Sequence, residues 1–229
     1  MIALDNVTIL KPGFARRDPI LEDATATFRL GERTGILAAP GTGKSTIARM
    51  LCGIEQPDFG TVHAGCPVSW PIGFAGFLHP SLSVRDNLAI FSRMLGISSV
   101  AVEEFCIEFC GIENLRNKRM SELTPTQRAM LAYACALANP EPSMWIADEV
   151  ITIGEPRDRA KCDEVLSERL ASGGLIFLSR NLRVLKAYCD RFFVLINKRL
   201  MPCEDPDVAQ EMLEMAAQER GTATNEVLT

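Results

Sequence analysis

The sequence predicts an α/β protein: a mostly parallel sheet with flanking helices, a small antiparallel edge sheet ahead of it, and a helical segment inserted into it. Three observations predict this. Residues 33–46 read as a short apolar strand, a glycine-rich turn and the start of a helix. The later apolar runs 144–147 and 175–178 alternate with segments of helical periodicity, the order of parallel strands joined by crossing helices. From Ser81 to about Pro140 every periodicity is helical, so a helical block interrupts the α/β order.

Taken in order, residues 2–10 alternate as a strand does, and residues 24–30 form a second strand after a loop rich in Pro, Gly and Arg. Two strands before the glycine turn imply the antiparallel edge. The helix opening at Gly43 carries Ile47, Met50, Leu51 and Ile54 on one face. Residues 56–60 form a turn, 61–64 and 67–70 short strands, and 71–80 a loop; His63 falls in a strand or turn. In the inserted block Val84, Leu88, Phe91 and Leu95 share a face. So do Val102, Phe105, Cys106 and Phe109, and then Leu131, Ala134, Cys135 and Ala138. Residues 144–147 make a buried strand that ends in Asp148 and Glu149, and a helix follows through Cys162, Val165, Leu166 and Leu170. Strand 175–178, a short helix over 182–188 and a hairpin pairing 192–196 with 200–203 across Asn197 and Lys198 complete the core. Beyond Asp205, Val208, Met212 and Met215 share one helical face, and the polar end frays.

With 229 residues the chain suffices for one sizeable α/β domain without staples. Its net charge of −5 gives no basic field for nucleic acid or for an anionic membrane surface, so membrane contact is expected through a protein partner. The eight cysteines show no C-x-x-C pair and no Cys/His zinc spacing. Cys106 and Cys110, one helical turn apart, are read as packing residues. No run of about 18 apolar residues occurs, and the first ten residues lack a signal peptide's basic flank, which predicts a soluble chain of a reducing compartment.

The chemistry gathers at Ala38, Ala39, Pro40, Gly41, Thr42, Gly43, Lys44, Ser45 and Thr46. Gly41 and Gly43 let backbone amides curl around a polyphosphate, Lys44 reaches its outer phosphates, and Ser45 can hold Mg²⁺. The new helix also points its free N–H groups at the anion. The pattern G-x-x-x-x-G-K-[ST] has glycine where this chain has Ala38, a replacement that costs little unless the backbone there needs positive φ. An apolar strand ending in Asp148 and Glu149 supplies the second half: Asp148 for Mg²⁺ and Glu149 to polarise the attacking water. The motif predicts a bound nucleotide with Mg²⁺.

The phosphate loop, a loop with Gly73 and Gly76, the helical insert, Leu123 to Arg128 opening a helix, and Met144 to Glu149 together resemble an ABC-transporter ATPase subunit over nearly the whole chain. The strings V-S-W-P-I-G from Val68 and P-S-L-S-V-R-D-N from Pro80, with Asp148-Glu149-Val150 and then Gly154-Glu155, are similar to the ATPases of capsular-polysaccharide and O-antigen exporters. The resemblance implies a P-loop NTPase fold with a RecA-like core over 1–80 and 141–204, a helical subdomain over 81–140, and a C-terminal helix and tail over 205–229, all one ABC ATPase domain. It also implies that the nucleotide is ATP, and a peripheral subunit on the cytoplasmic face of the inner membrane, paired with a second ABC ATPase subunit and docked on an ABC-2-type permease through residues 71–87 and the helices after them.

The same resemblance assigns residues and exposes departures. In such dimers an L-S-G-G-Q stretch of one subunit contacts the γ-phosphate held by the other. Here it is Leu123-Thr124-Pro125-Thr126-Gln127, so Thr124, Thr126 and Gln127 are the expected contacts, while Pro125 removes an N–H and Thr126 adds a side chain. Arg180 stands where the family has a switch histidine. It can contact a γ-phosphate as a fixed cation but cannot shuttle a proton. His79 replaces a glutamine that links Mg²⁺ to the permease-facing loop, Glu155 replaces an aspartate, and Phe14 is the nearest ring for stacking the base. Two readings follow: an ATPase driving polysaccharide export, or a catalytically weak nucleotide-binding subunit paired with a separate intact ATPase. A small-molecule kinase would need an arginine-rich lid, and Arg116, Lys118 and Arg119 form only a short solvated run.

Overall fold

The computed structural model describes residues 1–11, 18–112, 114 and 116–226. Strands β1 (Ile2–Leu10), β2 (Pro19–Phe28) and β4 (Phe59–Ala64) form an antiparallel sheet in the order β2-β1-β4. A second sheet runs β5-β6-β3-β7-β8, from β3 (Arg33–Ala38), β5 (Met144–Asp148), β6 (Gly174–Ser179), β7 (Arg191–Ile196) and β8 (Arg199–Cys203). Its first four strands are parallel and β8 turns back on β7 through Asn197 and Lys198, both at positive φ (47° and 67°) as a tight hairpin turn requires. Glu22 N donates to Lys198 O at 2.8 Å, tying the two sheets together.

The parallel strands are apolar on both faces because both faces are covered. Ile36, Ala38, Met144, Ile146, Ile176, Leu178, Phe193 and Leu195 meet the antiparallel sheet and helix α1 (Lys44–Leu51). Leu37, Trp145, Ala147, Leu175, Phe177, Phe192 and Val194 meet the other helices, each such burial stabilising by roughly 1.5–3 kcal/mol for a large side chain. Those helices are α2 (Val84–Leu95), α3 (Ser99–Cys110), α4 (Pro125–Ala138), α5 (Pro156–Leu170), α6 (Leu182–Tyr188) and α7 (Pro206–Glu226). Cys106 of α3 lies 3.9 Å, sulfur to sulfur, from Cys135 of α4, both buried, and Cys110 is half-buried. Among the described residues no helix is long and apolar enough to cross a membrane.

Four expectations need correction. Strand β2 spans Pro19–Phe28 rather than 24–30, since proline is tolerated as the first residue of an edge strand. Strand β4 takes in Phe59 and Gly60, read from sequence as turn. Residues 67–70 form no regular strand. They run beside β5 through the isolated bridge of Val68 to Met144, with Ser69 N donating to Met144 O (2.9 Å), and Pro67 and Pro71 have no N–H to extend the ladder. On α7 the buried face carries Ala209 and Ala216 with Met212 and Leu213 half-buried, while Val208 and Met215 are 46% and 63% exposed. Alanine lets the helix sit close against β7, a choice that a search for large apolar side chains overlooks.

Candidate functional site

Parallel register sets the site. Leu37 pairs with Ser179 and Asp148 with Leu178, so β3, β6 and β5 end side by side and their loops open at one edge. The turn after β3 holds Gly41 at φ 74° and Gly43 at φ 92°. Gly43 is required twice over: its φ strains any other residue, and a Cβ there would fall 2.2 Å from Ile20 Cγ2. Ala38 is buried at the end of β3 and is not among the positive-φ residues, so alanine fits where the pattern has glycine. Thr42 Oγ1 donates to Ala39 O at 2.7 Å and braces the turn. No side chain caps α1, so its first N–H groups remain available to an anion.

Lys44 is only 7% exposed and folds back over its own loop. Its Nζ donates to Ala39 O (2.9 Å) and Ala38 O (3.3 Å) and lies 2.9 Å from Glu149 Oε1. Glu149 stands at φ 59°, rare for a residue with a side chain, directly after β5. Its Oε2 accepts from Ser179 Oγ (3.0 Å) and Arg180 N (3.2 Å). Burial alone would push the Glu149 carboxyl up, but Lys44, the Arg180 N–H and Ser179 outweigh it and hold it below the usual range. Asp148 goes the other way: burial raises it and the Glu149 charge adds to that, against the Ser45 hydroxyl, Lys44 and Arg49.

Asp148 Oδ1 is buried without a hydrogen-bond partner, beside Ser45. A carboxylate and a hydroxyl are hard oxygen donors of the kind Mg²⁺ takes. Among the described residues no three His, Cys, Asp or Glu side chains converge, so an ion here must draw its remaining oxygens from phosphate and water. Because burial and the neighbouring Glu149 charge disfavour the Asp148 carboxylate, Asp148→Asn is expected to raise the melting temperature of the nucleotide-free protein by about 2 °C. The same variant is expected to abolish any Mg²⁺-dependent gain in nucleotide affinity; calorimetry with Mg²⁺ and with chelator reads the second effect.

A cavity of about 690 Å³ is lined by Pro40, Gly41, Gly43, Lys44, Ser45, Thr46, Glu149, Ser179, Arg180, Asn181 and Val184. A second of about 350 Å³ shares Pro40 and Gly41 with it and adds Lys11, Pro19, Ile20, Thr42 and the β7–β8 turn. Phe14 lies outside the described residues. His79 lines neither cavity; its Nδ1 accepts from Ser81 N (3.3 Å). Thr124, Thr126 and Gln127 sit at the start of α4 and line neither cavity. There Thr124 Oγ1 accepts from Gln127 N (3.2 Å) and Gln127 Oε1 from Thr124 N (2.9 Å). Glu155 caps α5. Sequence reasoning missed Ser179, whose only signal is a hydroxyl at the tip of the strand beside the acidic one.

A model of the ABC transporter family matches residues 21–152, which run from β2 through the phosphate loop and the helical insert to the acidic tip of β5. The chain belongs to the ABC transporter family. This ABC subunit is 32% identical over 192 residues to the ATP-binding protein BexA of Haemophilus influenzae, covering 84% of this chain and 88% of that one. The same figures hold for the capsule polysaccharide export ATP-binding protein CtrD of Neisseria meningitidis. The polysialic acid transport ATP-binding protein KpsT of Escherichia coli is 28% identical over 203 residues, 88% and 90% of the two chains. In fold the subunit resembles a dimeric ATP-binding cassette solved with ADP and phosphate, at a TM-score of 0.71 and 20% identity over 87% and 96% of the two chains. The ABC ATPase fold class expected from the sequence is thereby established.

Proposed function

We propose that the chain binds ATP with Mg²⁺ at the phosphate loop and hydrolyses it to drive export of a capsular or other surface polysaccharide. Two such subunits, like or unlike, would act on an ABC-2-type permease from the cytoplasmic face of the inner membrane. The observation that carries this is that Lys44, Ser45 and the Lys44-bound Glu149 line one cavity, with the buried Asp148 carboxylate beside Ser45. The names of the relatives CtrD and KpsT, which specify polysaccharide export and polysialic acid transport, support the transport assignment.

The larger cavity suits the phosphates and the smaller, reached past Pro40 and Gly41, the nucleoside. Lys44 exchanges Glu149 for the outer phosphates, and Gly41, Gly43 and the first amides of α1 wrap the chain of oxygens. Ser45 and Asp148 would hold Mg²⁺, which when bound neutralises charge on the phosphates. Glu149, released from Lys44, accepts the proton of the water that attacks the γ-phosphorus as the bond to ADP breaks. Arg180 sits at the rim as a fixed positive charge toward the γ-phosphate.

Glu149→Gln tests this reading. It is expected to keep ATP affinity at or above that of the parent, since a weaker competitor faces Lys44, while phosphate release falls by about 10²–10³-fold. Release at the parent rate would rule the mechanism out. The second reading, a catalytically weak subunit beside an intact cassette, is favoured by one observation: Pro125 occupies the first position of α4, where its missing N–H deprives a partner's phosphate of a donor.

A further inference from the structure

We propose that Ser179 is a positioning residue for Glu149, one that fixes the carboxylate's orientation so that a single oxygen is free to act when nucleotide arrives. The inference rests on the hydrolytic reading above. Glu149 leaves β5 in the left-handed region, which points its side chain across to the end of β6 rather than along its own strand. A side chain launched from a strained backbone needs external tethers to hold one orientation. Three are present: Lys44 Nζ on Oε1, and Ser179 Oγ with Arg180 N on Oε2.

Ser179 is built for that bond. It is 2% exposed, and its oxygen accepts from Asn181 N at 3.1 Å. With a lone pair so engaged, the hydroxyl proton is directed at Glu149. The tethers also differ in permanence. Lys44 must leave Oε1 to meet phosphate, whereas Ser179 and the Arg180 amide belong to the end of β6 and have no reason to move. Glu149 therefore changes from a carboxylate held at both oxygens to one held at Oε2 alone, with Oε1 turned to the cavity. The same exchange makes the Glu149 carboxylate an internal stand-in for phosphate at Lys44 while the site is empty.

The test compares full-length parent, Ser179→Ala, Ser179→Thr, Glu149→Gln and Glu149→Ala proteins. Steady-state hydrolysis gives kcat and KM, and calorimetry with a non-hydrolysable ATP analogue and Mg²⁺ gives affinity. Ser179→Ala is expected to lower kcat about 10- to 100-fold with KM and analogue affinity within about 3-fold of the parent. Ser179→Thr, which keeps the hydroxyl, restores most of the rate. On a Glu149→Ala background, Ser179→Ala is expected to remove nothing further, because the group it positions is gone. A Ser179→Ala protein with parental kcat beside an inactive Glu149→Gln protein overturns the role of Ser179 and leaves the hydrolytic reading standing. Equal losses of kcat and affinity with a lowered melting temperature also overturn it, marking Ser179 as structural. Parental hydrolysis by Glu149→Gln sinks the underlying reading instead.

Discussion

Replacing Lys44 with alanine is expected to weaken MgATP binding by about 100-fold. Charge-assisted hydrogen bonds contribute about 1.5–3 kcal/mol each, and the ammonium reaches two phosphate groups. The full sum is not lost, because Lys44 in the empty protein already holds Glu149, Ala38 O and Ala39 O and must give those up. A net of about 3 kcal/mol remains, which is roughly two decades in affinity. Calorimetry on the full chain measures it, and parental affinity in the variant would remove the cavity from consideration as the nucleotide site. The variant also carries a pH signature. Glu149 is held below its ordinary value by Lys44, so their pairing stabilises the fold above the unfolded value of about 4.3 and is lost as pH falls through the lower folded value. The parent's advantage in melting temperature over Lys44→Ala is therefore full near neutrality and closes in acid. It is small throughout, since Glu149 is over one third exposed.

Replacing Pro125 and Thr126 together with glycine is expected to raise hydrolysis about 10-fold or more. At the start of α4, Pro125 has no N–H, Gln127 N is taken by Thr124 Oγ1, and Arg128 N bonds Thr124 O at 3.0 Å. Thr126 N is left as the donor that this end of the helix offers, and its own exposed side chain stands beside it. Glycine at 125 restores a donor and glycine at 126 clears the approach. A donor aimed at charge developing in the transition state is worth about 10²–10³ in rate, so recovery of part of that is the expected gain. Two glycines in the first turn also cost the helix about 1 kcal/mol each. Activity should rise while the melting temperature falls by several degrees, a combination that no general stabilisation produces. Unchanged turnover would mean that this stretch faces no working site, as expected of a subunit paired with a separate intact cassette.

The parts of the fold legible in the sequence were those where one residue type has one physical use. The β7–β8 hairpin was announced by Asn197-Lys198, and the phosphate turn by Gly41 and Gly43, whose φ angles few other residues tolerate. The strands β5 and β6 were announced by apolar runs because both of their faces are covered. The start of β2 was hidden by Pro19, which usually signals a loop, and the buried face of α7 by alanines that carry little apolar weight. At the site, Lys44, Asp148 and Glu149 were readable as chemistry but not as a geometry. That Glu149 turns back onto Lys44, and that Ser179 holds it there, depends on which strands lie side by side, and 30 residues separate Ser179 from Glu149.

The residues that meet at the cradle stand on the tips of β3, β6 and β5, which hold one another through backbone bonds in register. None of those bonds comes from α2, α3 or α4, which pack on one another between β4 and β5. The helical block shares a core with the sheet, yet it takes no part in the backbone ladder that sets the strand tips side by side. Substitutions on the outward side of that block therefore reach the cradle only through side-chain packing, leaving the alignment of the three tips to the ladder itself.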